Sequence, residues 1–585
     1  MSNTFPDTPP QQNDDLPLDL DIWTEVLDRL DASDIAHLSQ ASKSASYLVD
    51  AVGWLSLMRR HRLHYVTVDA SNDEKNSMSL LRYNYGVVRS LRERRMLARQ
   101  VGQSWDKGYI PKIRISKDRV LVAAGPKLIG YTLHPTQSST DGITQRAITF
   151  ETTIYTTPIP SLRQRSIHQT DYTQLRRRNT HMNGRRGTEY SPLEDITGFF
   201  ECADGQVVSG NVGGVVQRQR FNLDAYTKGT SQFAQSTAIY QSPALQQIVE
   251  VSGSPSANST LILSATKDGH ASLFRAEAPW LPPSTINTNT RLWTAHLSMS
   301  SSQPYAALGG SGGPSQALRI YPVTPTGILT PTKTHPAFFG TNHNRSAVYG
   351  LASPPSDMSM AYTNNPSSVL LSAWYDSVAR LYDLRTSDAA GRRPVVEMQD
   401  PWSHEALYCC DFVGNGQVVA GAARHGMLHI WDPRMVRLSE KGQSPSADTS
   451  GVTVADSQES AVFSQHRGGW TVYTPGQPDS PVYDIKAEGG RIWGVTNKRT
   501  FVLAFDTTGP TADAPGARGW DIVLPHMAPQ NRPHNGWNAG DRRGGDEAGR
   551  DYATCYEHGD RLLRPFYSLG AEKERTGLGG QRGKR

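Results

Sequence analysis

Along this chain the spacing of apolar residues is helical at first and stranded later. From Leu16 to Leu57 apolar side chains return every three or four positions. Ile22, Trp23, Val26, Leu27 and Leu30 form one set, Ile35, Leu38 and Ala41 a second, and Tyr47, Leu48 and Val52 a third that ends near Trp54. That spacing predicts three short helices. Pro17, after Leu16, suits a first helical turn, where its missing N–H had no partner to lose. Asp34 stands where it can cap the second helix. Helices this short bury little surface alone and call for a partner. A basic helical stretch follows over residues 84–103, carrying Val87, Val88, Leu91 and Leu97.

From Ile110 onward the period changes. β-branched and apolar runs recur between Gly or Asp turns over residues 110–133, 195–221, about 248–274, 292–323, 347–385, 404–434 and 481–506. A further strand is expected near Ala461. This is the pattern of a propeller, with one small sheet per blade. Seven blades is the natural count, and long loops with degenerate repeats leave six or eight open. The expected fold is multidomain: a small all-α module, then an all-β propeller with disordered insertions and tail. Residues 1–13 read as disordered, 14–62 as the helical module, 63–106 as a helical linker and 107–506 as the propeller. Residues 507–585 read as a disordered tail rich in Gly and Arg. Within the propeller, residues 135–193 form a basic insertion with an outer strand at Ala147–Tyr155. Its arginines (Arg163, Arg165, Arg176, Arg177, Arg178, Arg185 and Arg186) face only Asp171. A solvated loop is the favoured reading, with an acidic partner or nucleic acid second. Tail pieces such as GWDIVLPH and RLLRPFYSL have the composition to dock back.

Composition narrows the chemistry. The 585 residues are 37% hydrophobic and 20% charged, enough for folded domains with room for unfolded stretches. A net charge of +5 is small for this length and does not argue for nucleic acid. No run of about 20 apolar residues exists to span a membrane, and the polar start MSNTFPDTPPQQNDD is no secretory signal. Cys202, Cys409, Cys410 and Cys555 lack metal-ligand spacing and fit the cytoplasm or nucleus. No nucleotide loop, HExxH or nucleophile elbow is present. We therefore expect no catalytic residue, cofactor or metal.

Two local orders carry a family resemblance. Leu16-Pro17, a helix, Asp34-Ile35-x-x-Leu38, Ser39-x-x-Ser42-Lys43 and a closing Trp54 resemble an F-box. Leu18-Asp19 departs from the glutamate that many F-boxes place after Leu-Pro. VARLYDLR (Val378–Arg385) and GMLHIWDPR (Gly426–Arg434) resemble the strand endings of WD-repeat blades. Together they resemble F-box/WD-repeat proteins. The segments KGYIPKIRISKDRVLVAAG and SPVYDIKAEGGRIWGV look like the divergent F-box/WD-repeat 4 type. The repeat's polar tetrad is degenerate: His404 and Trp431 fit blade six with His425 in the turn, while Asp376 and Tyr382 fit blade five.

The resemblance implies a substrate receptor of an SCF-type cullin–RING ubiquitin ligase. Its F-box would bind a Skp-type adaptor, and through it the cullin, by Leu16, Pro17, Leu20, Ile22, Val26, Leu27, Leu30, Leu38 and Trp54. Its propeller would bind an unknown protein substrate. AVYGLA, ALYCCDF and PVYDIKA open three inner strands alike, so Tyr349, Tyr408 and Tyr483 are expected at the channel mouth. Propellers that read phosphorylated targets carry arginines there. Aromatics favour an apolar or hydrogen-bonding ligand, although tyrosine is also a good strand residue at a half-buried edge. Arg385 and Arg434 also resemble the WDxR box of cullin-4 receptors, an alternative adaptor contact. A scaffold that binds nucleic acid through the basic loop is the reading from a different class.

Overall fold

The computed structural model describes residues 20–54, 56–57, 77–94, 96–101, 104–105, 108–116, 119–136, 145–155, 192–202, 205–220, 235–242, 245–255, 260–299, 304–311, 317–324, 327–328, 346–355, 368–385, 394–414, 416–435, 469–475, 480–488, 490–505, 554–557 and 566–567. Helices α1 (Leu20–Leu27), α2 (Ala32–Ala41) and α3 (Lys43–Leu48, continued by a wider turn over Val49–Gly53) form the N-terminal module. Asp31, rather than Asp34, caps α2. It is extended, and its carboxylate accepts the Asp34 N–H at 2.9 Å. Asp34 lies in the first turn, where a negative charge suits the helix dipole. Ser42 caps α3 by accepting from the Ala45 N–H at 3.0 Å. Leu27, Ile35, Leu48, Val49, Trp54 and Leu57 form the module's core.

Helix α4 (Ser77–Glu93) runs from this module to the propeller. Leu81 packs on the helical core, whereas Val87 and Leu91 join a propeller cluster containing Trp470, Val472 and Phe505. The helix ends where Arg94 turns left-handed (φ 56°). This corrects the expected linker: residues 97–101 are strand β1 (Leu97–Val101), and Leu97 is not helical. The propeller thus begins ten residues before position 107.

Seven blades follow, confirming the natural count. Blade one is β2 (Lys112–Ser116), β3 (Arg119–Ala124), β4 (Lys127–Thr136) and β5 (Gln145–Tyr155). Blade two is β6 (Ile196–Glu201), β7 (Val207–Asn211), β8 (Val215–Arg220) and β9 (Gln235–Gln241). Blade three is β10 (Ile248–Pro255), β11 (Thr260–Thr266), β12 (His270–Arg275) and β13 (Ser284–Asn287). Blade four is β14 (Leu292–Ser298), β15 (Tyr305–Gly310), β16 (Leu318–Thr324) and β17 (Gly327–Ile328). Blade five is β18 (Val348–Ala352), β19 (Val369–Trp374), β20 (Val378–Asp383) and β21 (Val396–Gln399). Blade six is β22 (Leu407–Val413), β23 (Gln417–Ala422), β24 (Met427–Trp431) and β25 (Gly469–Tyr473). Blade seven is β26 (Val482–Glu488), β27 (Arg491–Thr496) and β28 (Thr500–Ala504), with β1 as its outer strand. The ring therefore closes by pairing the start of the propeller with its end, Leu97 opposite Ala504 and Val101 opposite Thr500.

The second strands β3, β7, β11, β15 and β19 are buried along their whole length, so their burial does not alternate as it would in a strand with one face in solvent. The strand expected near Ala461 lies outside the described residues; the strand that precedes the last blade is β25, and it belongs to blade six. The outer strand expected at Ala147–Tyr155 is β5. The tail contributes too: β29 (Thr554–Glu557) pairs with β25 and β30 (Phe566–Tyr567) with β29, making blade six a six-stranded sheet. RLLRPFYSL thus supplies β30. GWDIVLPH and the arginines of the basic insertion lie outside the described residues.

Candidate functional site

The inner strands β2, β6, β10, β14, β18, β22 and β26 contact one another in sequence around the ring, and β26 meets β2. Six of the seven carry an irregularity at the same step: the pairing with the second strand skips one residue. The skipped residues are Thr197, Val249, Trp293, Tyr349, Tyr408 and Tyr483. A bulge leaves its extra residue out of the ladder and re-aims the side chain. Sequence-equivalent positions thus become spatially equivalent.

On consecutive blades four to seven these side chains are aromatic and touch. Trp293 and Tyr349 have ring centroids 5.1 Å apart, Tyr349 and Tyr408 5.2 Å, and Tyr408 and Tyr483 6.1 Å. Tyr375, from the turn between β19 and β20, lies 6.1 Å from Tyr349. Gly350 lets the strands approach: a Cβ there would come within 2.9 Å of the Cys409 Cα. Tyr349, Tyr408 and Tyr483 are half-buried. Burial, then the neighbouring phenols, pushes the Tyr349 and Tyr483 hydroxyls above the ordinary tyrosine range. The exposed Arg291 stacks its guanidinium 3.9 Å from the Trp293 ring centroid. Sequence reasoning brought the three tyrosines together correctly but missed Trp293 and Arg291. Leu292-Trp293 repeats the apolar–aromatic step of Val348-Tyr349, Leu407-Tyr408 and Val482-Tyr483, and that signal could have found Trp293.

Further along the inner strands the channel holds a charge network that ties distant blades together. Arg114 reaches Asp484 at 2.8 Å and Glu250 at 3.1 Å, and Lys112 pairs with Glu250 at 2.8 Å. Lys486 lies 3.4 Å from Asp411. The Ile113 N–H donates to Asp484 at 3.0 Å and the Ala487 N–H to Asp411 at 3.1 Å. Burial opposes charge on Asp484, yet Arg114, Lys112 and Lys486 hold its carboxyl below the usual range. For Asp411 burial wins over Lys486, and its carboxyl is pushed up. Burial, with Lys486 and Arg114, lowers the His296 imidazole to about 4. His296 shares a 2.9 Å hydrogen bond with Ser353. Three cations and three anions balance in this network, so it presents no net charge.

The residues expected on the adaptor face separate into two groups. Ile22 is 47% and Val26 36% exposed on α1, open to a partner. Leu27 (0%) and Trp54 (3%) belong instead to the module's own core, and the Trp54 indole N–H donates to Asp50 at 3.2 Å. Side chains so enclosed cannot reach a second protein without unfolding the module, which corrects that expectation. Leu30 and Leu38 pack half-buried on the same core. Tyr47, 61% exposed, was not foreseen. Leu20 opens α1, and Leu16 and Pro17 lie outside the described residues.

Arg385 and Arg434 are exposed at the turns after β20 and β24. Each guanidinium is already forked onto its own Asp, Arg385 on Asp383 at 2.6 Å and Arg434 on Asp432 at 2.7 Å. The Arg385 fork holds the Asp383 carboxyl below its ordinary range. The polar tetrad departs from expectation. His404 is exposed, although His425 sits in the expected turn, with φ 60°. Blade six instead buries Asp400, Thr471 and His429, with Thr471 donating to Asp400 at 2.9 Å and His429 sharing 2.6 Å with Thr471. Among the described residues no three His, Cys, Asp or Glu gather to hold a metal. No described helix is long and apolar enough to cross a membrane.

Residues 14–55 match the F-box domain family. Over the F-box region the chain is 38% identical across 68 residues to F-box/WD repeat-containing protein 4 of Mus musculus, covering 12% of this chain and 15% of that protein. The Homo sapiens protein of the same name is 39% identical across 66 residues, covering 11% of this chain and 15% of that one. The chain thus spans about 15% of the length of these relatives. The WD40 β-propeller domain of Doa1 aligns with a TM-score of 0.39 and 12% identity, covering 70% of this chain and 96% of that one.

Proposed function

We propose that this chain, an F-box domain joined by one helix to a seven-bladed propeller, is the substrate-recognition subunit of an SCF-type cullin–RING ubiquitin ligase. The F-box binds a Skp-type adaptor, and through it the cullin, by Leu16, Pro17, Ile22 and Val26. The propeller takes a protein target over the channel rim at Tyr349, Tyr408 and Tyr483. The chain contributes no bond-making group. Its part is proximity, which lowers the barrier to ubiquitin transfer by holding target and conjugating enzyme together. The subunit works in the cytoplasm or nucleus, where the buried free thiols of Cys202, Cys409 and Cys410 stay reduced.

The observation that carries this reading is the pair of exposed apolar side chains on α1, within a segment that matches the F-box family. An apolar anchor truncated at an interface typically costs about 2 kcal/mol or more. The test is co-purification of a Skp-type adaptor with the full chain and with an Ile22→Asp/Val26→Asp variant. Both side chains lie outside the core, so the variant keeps its fold. We expect the adaptor to be lost. Equal recovery of the adaptor by both proteins would sink the assignment.

A further inference from the structure

The rim is lopsided. Of the six bulged positions, those on blades four to seven are Trp293, Tyr349, Tyr408 and Tyr483, while those on blades two and three are Thr197 and Val249. A ligand centred on the channel axis would meet like residues all round. A ligand laid along one side would meet this arrangement. We propose that the crescent over blades four to seven binds an extended, proline-bearing protein segment of at most about five residues with a carboxylate at the Arg291 end. This inference rests on the target-receptor reading above and names the class of target segment.

Length comes from the row itself. Three centroid steps of 5.1, 5.2 and 6.1 Å carry it from Trp293 to Tyr483. That path of roughly 16 Å bends with the ring, so it sets an upper limit of about five residues of polyproline II at ~3.1 Å each. Proline suits the surface in two ways. Its ring lies flat on aromatic faces, and its backbone conformation is set before binding, so little entropy is lost. Among the described residues the three tyrosine hydroxyls make no hydrogen bond, yet none is buried away from solvent. They can donate to the carbonyls of such a segment, which in polyproline II have no internal partner.

Charge fixes one end. Arg291 is exposed, its flat face is stacked on Trp293, and its guanidinium has no carboxylate partner among the described residues. Two arginines elsewhere on blades five and six are engaged: Arg380 by Asp376 and Glu397, and Arg424 by Glu405 at 3.7 Å. A stacked guanidinium with open edges favours a planar carboxylate, which it can meet with two parallel hydrogen bonds. Phosphate readers gather several arginines, whereas Arg291 is a single guanidinium at one end of the row.

The test uses the full chain with its adaptor and synthetic capped peptides, read by the change in tryptophan emission and by calorimetry. The probes are Asp-(Pro)4, (Pro)4-Asp, and the Lys and phosphoserine counterparts of each. At least one Asp peptide should bind tenfold or more tightly than its Lys counterpart. Arg291→Glu, a change at an exposed side chain, should reverse that order. Tyr349→Ala/Tyr408→Ala should abolish binding of every probe. Absence of binding by both Asp peptides overturns the inference, as does an order unchanged by Arg291→Glu. A phosphoserine peptide that binds tenfold more tightly than the Asp peptide also overturns it, in favour of a phosphate reader. Adaptor co-purification is scored in parallel. Its loss strikes the receptor reading, while its retention with no peptide binding strikes only the assigned segment.

Discussion

Blade five offers the sharpest test of how the propeller is held together. Arg380 lies inside the sheet with its side chain only 2% exposed. Its two terminal nitrogens meet both Asp376 oxygens at 3.0 and 2.9 Å, its Nε donates to Glu397 at 2.9 Å, and it stacks 4.6 Å from the Trp374 ring centroid. A buried guanidinium is tolerated only while its partners stand. Removing one partner of a buried pair costs about 3–5 kcal/mol, and because the half-exposed Glu397 remains, Asp376→Ala should cost about 2–3 kcal/mol. Arg380→Met should cost less than Asp376→Ala. It removes the charge that needs the partner, refills the space over Trp374, and leaves Asp376 near enough to solvent to stay hydrated. The double variant should then resemble Arg380→Met alone. The assay is denaturant unfolding of the full chain followed by tryptophan emission. Asp376→Ala within about 0.5 kcal/mol of the parent, the usual range for an uninvolved surface site, would refute the reasoning. So would Arg380→Met proving the more damaging change.

Two further outcomes follow from the same packing. The imidazole of His296 is depressed to about 4 in the folded protein, against an ordinary value near 6.5. Between those values the unfolded chain binds the extra proton, so stability should fall as pH drops from about 6.5 toward 4. One proton accounts for at most about 1.4 kcal/mol per pH unit, and His296→Gln should flatten the pH–stability curve in this window relative to the parent. Deleting residues 550–585 removes β29 and β30 and uncovers the edge of β25, whose Trp470 and Val472 are buried. An uncovered apolar edge pairs with other chains, so the truncated protein should self-associate in sedimentation, and a monomer as stable as the parent would count against a structural role for the tail.

The elements legible in the sequence were those whose burial leaves a period. Second strands such as Val369–Trp374, enclosed on both faces, read as apolar runs, and their turns showed at Asp376 and His425. Outer strands were mostly silent. Gly327–Ile328 has two residues and Ser284–Asn287 four, too short to carry an alternation. Leu97–Val101 was hidden for another reason. It follows a true helix and finds its partners some four hundred positions later, at Thr500–Ala504, so nothing local marks it as a strand. At the rim, the three tyrosines were visible because each follows an apolar residue. The bulge that aims them belongs to the pairing, not to any one strand. Leu27 and Trp54 show the converse limit. On a helix of eight residues the core face and the partner face are both apolar, and only the packed structure separates Leu27 from Val26.

The placement of α4 bears most directly on how such a molecule could act. A receptor that works through proximity gains most when target and catalyst are held at a suited separation, since a slack connection dilutes their effective concentration. Here the connection is a helix of 17 residues, about 25 Å long. One end is pinned by Leu81 in the core of the helical module, and the other by Val87 and Leu91 beside Trp470 and Phe505. The same cluster contains Ala98 of β1 and Val472 of β25. The strand that closes the ring and the strand that receives the tail therefore share their packing with the helix that carries the F-box. Loosening any one of them loosens the seat of the other two, so the rim at Tyr408 and Tyr483, on these same blades six and seven, is held at a set distance from α1.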